Sequence, residues 1–337
     1  MDSMDLNGKR VVVVGGAGLI GSHVVDRLTR EDVKEIVVYD NFTRGSMGNL
    51  EGALLDPRVK VFELGGDILH TDILQKAFED TDVVFHLAAL WLLHCHEFPQ
   101  SAFEVNIRGT FNVLEACRLK GVKRLVYSSS ASVYGDALEV PMTEEHPYNN
   151  RTFYGATKIA GEHMARAYHQ RYGLDYVALR YMNIYGPRQD YMGAYVAVVM
   201  KILDRIDRGE PPVVYGDGSQ SYDFIYVEDA AECNVLAAKA TATDRFYNVG
   251  AGVPTTIKEI CELLLRLTGN EHLGIHYEPA GQTFVSRRLG STEAAARDFG
   301  FRAATPVEEG LRRLIAWRNA HKDAVADRIR AAEARAG

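Results

Sequence analysis

The strongest constraint on this chain is a set of glycines placed directly after its first apolar run. Residues 10–14 form that run, Gly15-Gly-Ala-Gly18-Leu-Ile-Gly21 follows without a gap, and residues 19–29 take up helical spacing. Residues 35–39 are apolar again, so the segment reads as strand, tight turn, helix and strand. Glycines so placed allow the turn, let backbone N–H groups approach a pyrophosphate, and let the helix pack on the strand. The second strand ends in Tyr39-Asp40, where a carboxylate can accept both hydroxyls of an adenosine ribose but repels a 2′-phosphate. NAD is therefore expected, and not NADP. Arg44 in the following loop either softens that exclusion or is a solvated loop cation.

Short apolar runs recur at 59–62, 83–87, 125–127 and 176–179, separated by helix-length segments such as 101–119 and 152–172. This alternation predicts an α/β fold, a doubly wound parallel sheet with helices on both faces. Beyond Arg180 turn signals at Gly186-Pro187, Pro211-Pro212 and Gly216 to Gly218 mark a less regular region, read as a smaller lobe over the sheet. The expected division is a dinucleotide-binding domain over 1–180 and a mainly substrate-binding lobe over 181–337, with some of its segments returning to the sheet. The Ala- and Arg-rich tail from Lys322 is read as a solvated helix.

With 47% hydrophobic residues the 337-residue chain can bury a large core, and its net charge of -7 gives no basic footprint for nucleic acid or an anionic membrane. A small-molecule partner is favoured. No stretch reaches the roughly 18 apolar residues of a membrane span, and the N-terminus lacks the pattern of a signal peptide. Four cysteines, Cys95, Cys117, Cys233 and Cys261, lie far apart, which argues against both disulfides and a zinc site. Reduced thiols in a cytoplasm are expected, and no metal.

The candidate chemistry lies in Tyr154-Gly-Ala-Thr-Lys158. At this spacing both side chains leave one face of a helix. A free phenol, with a pKa of about 10, is a poor base at neutral pH, and a neighbouring ammonium favours the phenolate. Ser128-Ser-Ser130-Ala-Ser132-Val-Tyr-Gly135 stands where the predicted fifth strand meets its loop, at the sheet end where ligands bind, so a hydroxyl there can bond the oxygen that Tyr154 deprotonates. His94 and His96 in Trp91-Leu-Leu-His94-Cys95-His96 read as packing or surface residues before ligands, and Trp91 as a pocket wall.

GGAGLIG, the Asp40 strand end, Gly66-Asp67-Ile68, His86-Leu-Ala-Ala-Leu90, Asn106 in VNIRGT, SSSASVYG, YGATK and Arg180-Tyr-Met-Asn183 together resemble the extended short-chain dehydrogenase/reductase family, from about residue 8 to 320. Within it the pattern is most similar to NAD-dependent epimerases that invert carbon 4 of a UDP-hexose, of the UDP-glucose/UDP-galactose type. The resemblance implies a Rossmann fold, a homodimer formed through helices 101–119 and 152–172, and Ser130, Tyr154 and Lys158 as catalytic residues. It implies a cofactor site of Gly15, Gly18, Leu19, Ile20, Gly21, Asp40, Asn41, Thr43, Asp67, Ile68, Leu87, Ala88, Ala89, Asn106, Ser128, Tyr154, Lys158 and Tyr181. Contacts to a UDP-sugar would come from Ser130, Tyr154, Asn183, Arg188, Tyr222, Arg287 and Arg288.

Related readings share the first step. Epimerases of UDP-glucuronate or of a UDP-N-acetylhexosamine, decarboxylases acting on UDP-glucuronate, and 4,6-dehydratases all begin at carbon 4; a non-enzymatic NAD-binding protein would lack reason to keep the whole set. Dehydratases of the dTDP-glucose type carry Asp-Glu after the hydroxyl residue of the serine loop, where this chain has Ala131 and Ser132. Neither side chain exchanges protons readily at neutral pH. Related epimerases also carry an arginine where this chain has Tyr222. A phenol brings no positive charge to a pyrophosphate, so Arg287 or Arg288, on opposite faces of an extended strand, is expected to supply it. Arg188 either contributes or only braces the turn after Pro187.

Overall fold

Alternate valines of the first strand serve two different cores. In β1 (Arg10–Val14), Val11 and Val13 belong to one apolar cluster, Val12 and Val14 to another, and all four are fully buried. A strand hydrophobic on both faces must lie inside a sheet covered on both sides. The computed structural model, which describes residues 5–189, 198–280 and 287–323, has that architecture.

β1 is followed by β2 (Glu35–Tyr39), β3 (Val59–Val61), β4 (Val83–His86), β5 (Arg124–Ser130) and β6 (Asp175–Tyr181). The second half adds β7 (Asn183–Tyr185), β8 (Val213–Tyr215), β9 (Ser221–Tyr226), β10 (Arg245–Val249), β11 (Pro254–Thr256), β12 (His276–Glu278) and β13 (Arg287–Arg288). The main sheet is parallel, seven-stranded and ordered β10-β6-β5-β4-β1-β2-β3. Its order reverses between β1 and β4, and the crevice beyond their carboxyl ends is where such sheets bind ligands. β7, β9, β11 and β13 form a smaller sheet, and β8 pairs with β12.

The helices are α1 (Leu19–Leu28), α2 (Thr71–Ala77), α3 (Leu92–Glu97), α4 (Pro99–Ala102), α5 (Thr110–Lys120), α6 (Phe153–Tyr172), α7 (Val198–Asp207), α8 (Val227–Lys239), α9 (Ile257–Thr268), α10 (Glu293–Phe299) and α11 (Val307–Ala320). Apolar residues of α1 and α8 fill one side of the sheet, and those of α2, α5 and α6 the other. A separate core joins α7, α9 and α11 to β9. α9 starts in a capping box between Thr256 and Glu259 and stops at Gly269 in a left-handed conformation.

Two expectations need correction. The helix expected over 101–119 is interrupted by a π-helical turn, Phe103–Gly109, because Asn106 within it bonds outward across the fold. The strand expected over 83–87 ends at His86, since the N–H groups of Leu87 and Ala88 both turn to the Val14 carbonyl. The tail helix lies, beyond Asp323, outside the described residues, as does 284–286. Among the described residues no helix is long and apolar enough to cross a membrane.

Two histidines sit deep in this frame. Burial, with Arg188 nearby, lowers His23 to about 4, and burial, with Lys158 nearby, lowers His86 to about 3. An unfolded imidazole takes its proton near 6.5, so below that pH the unfolded chain binds more protons than the folded one. The two histidines therefore support the fold above about pH 6.5 and lose that support as pH falls toward 4. Melting temperature should drop across this window, and His86→Gln should flatten the drop; identical pH curves for the two proteins would refute the assignment.

Candidate active site

The turn after β1 has room for nothing larger than glycine at its two ends. Gly15 has φ +81°, and a Cβ there would lie 2.6 Å from the Ala88 nitrogen; a Cβ on Gly21 would collide with the Gly15 carbonyl oxygen. The cradle thus keeps backbone exposed at the start of α1, whose N-cap, Gly18, has no side-chain cap. Unsatisfied N–H groups and the positive helix end there suit a diphosphate, and Leu19 and Ile20 form the first turn beneath it. Asp40 borders the cradle, accepting from the N–H groups of Ala17 at 2.9 Å and Phe42 at 2.8 Å. Its burial raises the carboxyl pKa, and the two N–H groups pull it back. Asn41 folds its loop by accepting from the Thr43 N–H.

Across the switch point, Leu87, Ala88 and Ala89 leave β4 beside Gly15. Asp67 accepts from the Leu69 N–H, its carbonyl accepts from Tyr39, and Ile68 is buried, with its carbonyl holding Asn112. The guanidinium of Arg44 stacks on Trp91, 3.1 Å from the ring centre, so it is a bridge between the loops after β2 and β4. Arg44 remains exposed in this bridge. His94 packs between Trp91 and Phe98, and among the described residues no three His, Cys, Asp or Glu gather as a metal site.

The candidate reacting groups lie on β5 and α6. Thr152 caps α6 by accepting from the Gly155 N–H, which fixes the first turn carrying Tyr154. Successive serines of β5 then divide their tasks. Ser128 bonds Tyr181, whose hydroxyl also donates to Asn234; Ser129 donates to Glu162 at 2.6 Å; Ser130 faces Tyr154 and accepts from the Ser132 N–H. Lys158 donates to the Ser128 carbonyl at 2.7 Å, with its ammonium 5.7 Å from the centre of the Tyr154 ring.

Burial pushes the Tyr154 phenol up to about 12, opposed by the Ser130 hydrogen bond and the Arg288 charge and reinforced by Cys95. Burial lowers Lys158 to about 8, against the pull of Cys95 and Glu162. The expectation that a neighbouring ammonium favours the phenolate thus meets an opposing desolvation of the phenol. Asn106, buried, ties together the Leu90 backbone, Cys95 and Thr157, and so fastens the loop after β4 to α6.

β13 lies parallel to β9, with Arg288 opposite Tyr222 and Arg287 opposite Ser221. Arg288 is the inward member of the pair. It is close enough to Tyr222, Asp136 and Tyr154 for each to raise its pKa against the lowering by burial, whereas Arg287 is exposed. Among the described residues the buried Nε of Arg288 has no hydrogen-bond partner. Asn183 donates to the Asp223 carbonyl at the edge of the same lobe. Arg188, held at φ +66°, ion-pairs with Asp26 of α1 at 2.7 Å, a contact in keeping with the brace of its two readings. Asp136 and Glu162 were not singled out from the sequence; only the four-residue step from Lys158 to Glu162 along α6 hinted at the latter.

A dinucleotide cradle, a Ser–Tyr–Lys cluster and an inward cation thus converge at one sheet end. Residues 11–250 match the model of the NAD dependent epimerase/dehydratase family, and the chain belongs to that family. NAD is its cofactor, and the backbone cradle and Asp40 fit it. The chain is 32% identical to the putative UDP-glucose 4-epimerase of Methanocaldococcus jannaschii, over 91% of this chain and 97% of that protein. It superimposes with a TM-score of 0.87 on the UDP-N-acetylglucosamine 4-epimerase of Methanobrevibacter ruminantium M1, solved with UDP-N-acetylmuramic acid, at 34% identity over 94% of this chain and 99% of that one. A dTDP-glucose 4,6-dehydratase of Actinoplanes is 30% identical over 93% of this chain and 98% of that protein.

Replacing the phenol tests its role directly. Tyr154→Phe should lower turnover by about 10²–10⁴-fold, the range for a lost general acid/base, while NAD affinity changes little. Ser130→Ala should be milder, and near-normal turnover in Tyr154→Phe would remove Tyr154 from the chemistry.

Proposed function

We propose that the chain is a UDP-sugar 4-epimerase of the UDP-glucose/UDP-galactose type. The observation that carries this reading is the surround of Tyr154: one hydroxyl, Ser130, reaches it, and the two residues after Ser130 are the buried Ala131 and Ser132. That set can move one proton at one carbon. It offers no carboxyl pair in the serine loop to remove water across two further carbons, which disfavours dehydration.

In this mechanism Tyr154 takes the proton of the sugar 4-hydroxyl while Ser130 holds that oxygen. Arg288 lies near enough to favour the phenolate, and Lys158, fixed on the Ser128 carbonyl with its ammonium 5.7 Å from the centre of the phenol ring, brings a second positive charge to it. NAD, held by the glycine cradle after β1 and by Asp40, would supply a positively charged hydride acceptor at carbon 4, restored when the 4-keto sugar is reduced on its opposite face. Tyr154 then returns its proton, so no second substrate is consumed. Arg288 anchors the diphosphate in place of the arginine that Tyr222 replaces.

The test is product analysis by NMR with UDP-glucose, UDP-galactose, their N-acetylated forms and UDP-glucuronate. Epimer at carbon 4, formed without net NADH, is expected; release of carbon dioxide or water, or stoichiometric NADH, would overturn the reading. Sugar preference among the panel follows from the same spectra.

The protein is further proposed to work as a cytoplasmic homodimer. All four cysteines are buried free thiols, in keeping with a reducing compartment. Phe103, Phe111 and Leu119 on the π turn and α5, with Phe153 and Tyr172 on α6, are large apolar side chains left exposed, in keeping with a helix-paired contact. Sedimentation equilibrium should give twice the chain mass of 37.4 kDa, and a monomer at micromolar concentration would refute the dimer.

A further inference from the structure

Glu162 lies one turn beyond Lys158 on α6 and is fully buried against Arg180 of β6, itself 1% exposed. The carboxylate accepts from Nε and Nη2 of Arg180, both at 2.8 Å. The remaining guanidinium protons are also placed, from Nη2 to the Tyr148 hydroxyl and from Nη1 to the Tyr134 hydroxyl and the Glu144 carbonyl. All five donors are thus engaged. A guanidinium cannot accept, so the polarity of everything beyond it is fixed.

Tyr134, accepting from Arg180, must send its own proton onward, and it donates to Asn248 Oδ1 at 2.7 Å. This sets the Asn248 amide, whose NH₂ donates to the carbonyls of Met142 at 2.9 Å and Ser291 at 3.2 Å. Met142 in turn is stitched to the segment after β13: its N–H donates to the Leu289 carbonyl, and its carbonyl accepts from the Ser291 N–H, both at 2.8 Å. The residue before Leu289 is Arg288. One directed chain of hydrogen bonds therefore runs from the helix that bears Tyr154 and Lys158 to the strand end that bears the inward arginine.

We infer that Tyr134 and Asn248 are positioning residues for substrate, setting Arg288 at a fixed distance from the catalytic helix through the buried Glu162–Arg180 pair. The inference rests on the reading of Arg288 as the diphosphate anchor. Neither residue borders the cofactor cradle after β1, so their loss should act on nucleotide-sugar binding and leave the cofactor untouched. A purely structural role would lower stability without separating the two ligands.

The experiment titrates UDP and NAD calorimetrically into wild type, Arg288→Ala, Tyr134→Phe and Asn248→Asp. Amide exchange of the segment at 287–291 is measured on the same proteins. Tyr134→Phe leaves Asn248 Oδ1 without its donor, and Asn248→Asp keeps that acceptor but loses both onward donations. Each should weaken UDP binding about tenfold, the scale of one net hydrogen bond, with NAD affinity unchanged and exchange at 287–291 faster. If Arg288→Ala loses UDP affinity while both other variants keep it, the positioning role is wrong and the anchor reading survives. If Arg288→Ala keeps UDP affinity the anchor reading fails, and exchange at 287–291 still decides the coupling: unchanged exchange overturns it. Loss of fold in both Tyr134→Phe and Asn248→Asp would make the chain of bonds structural only and overturn the inference as well.

Discussion

The site depends on one buried ion pair, Glu162 with Arg180, because it locks helix α6 to the strand beside the serine loop. A charge removed from water is tolerated only where its partners are complete, and here the guanidinium has all five donors engaged and the carboxylate accepts four bonds, from Ser129, Tyr148 and twice from Arg180. Deleting one member would strand the other in an apolar interior, at a cost on the order of 3–5 kcal/mol, whereas a hydrophobic pair of similar volume could be neutral for stability. The pair is therefore better explained by placement than by stability. Ser129 sits on it, and its neighbours Ser128 and Ser130 face Lys158 and Tyr154.

That rigidity bears on the acid/base problem. Burial gives Tyr154 a dry, fixed phenol but moves it away from the neutral range, and it lowers Lys158 toward neutrality at the same time. The two shifts have one cause and oppose the same step, since both disfavour the charged forms that the proton transfer needs. A site that only excluded water would defeat itself. Positive charge aimed at the phenol opposes this shift, and Arg288 is near enough to act on it, with burial still the larger effect. The cation that anchors a diphosphate would thus also tune the base.

Much of this frame was legible in the sequence. The valine run of β1 and the glycines after it were legible because apolar continuity and glycine spacing are local patterns, although the atom that excludes a Cβ at Gly15 comes from Ala88 on a distant segment. Tyr154 and Lys158 were equally legible, being one helical turn apart. Asn106 shows the limit: its position inside a π turn, bonded to Leu90, Cys95 and Thr157, depends on three segments meeting. Arg188 shows another. An arginine after Gly-Pro has the reach of either a ligand contact or a brace, and only the packing of α1 presents it with Asp26. Arg287 and Arg288 were separable only as a pair on opposite faces until the register with Ser221 and Tyr222 set which one turns inward.

Tyr222 then acquires a physical reading. An arginine there would stand directly opposite Arg288, two cations on adjacent, partly buried strands, each raising the cost of the other. A phenol at that place removes the repulsion and raises the Arg288 pKa instead. On the proposed reading of Arg288 as the diphosphate anchor, one cation in place of two leaves less charge for a diphosphate, so the geometry of the remaining arginine matters more: a single misplaced guanidinium would have no second one to compensate for it. Precision of placement substitutes for charge, which is the circumstance in which a directed chain of buried hydrogen bonds behind Arg288 would be worth its desolvation.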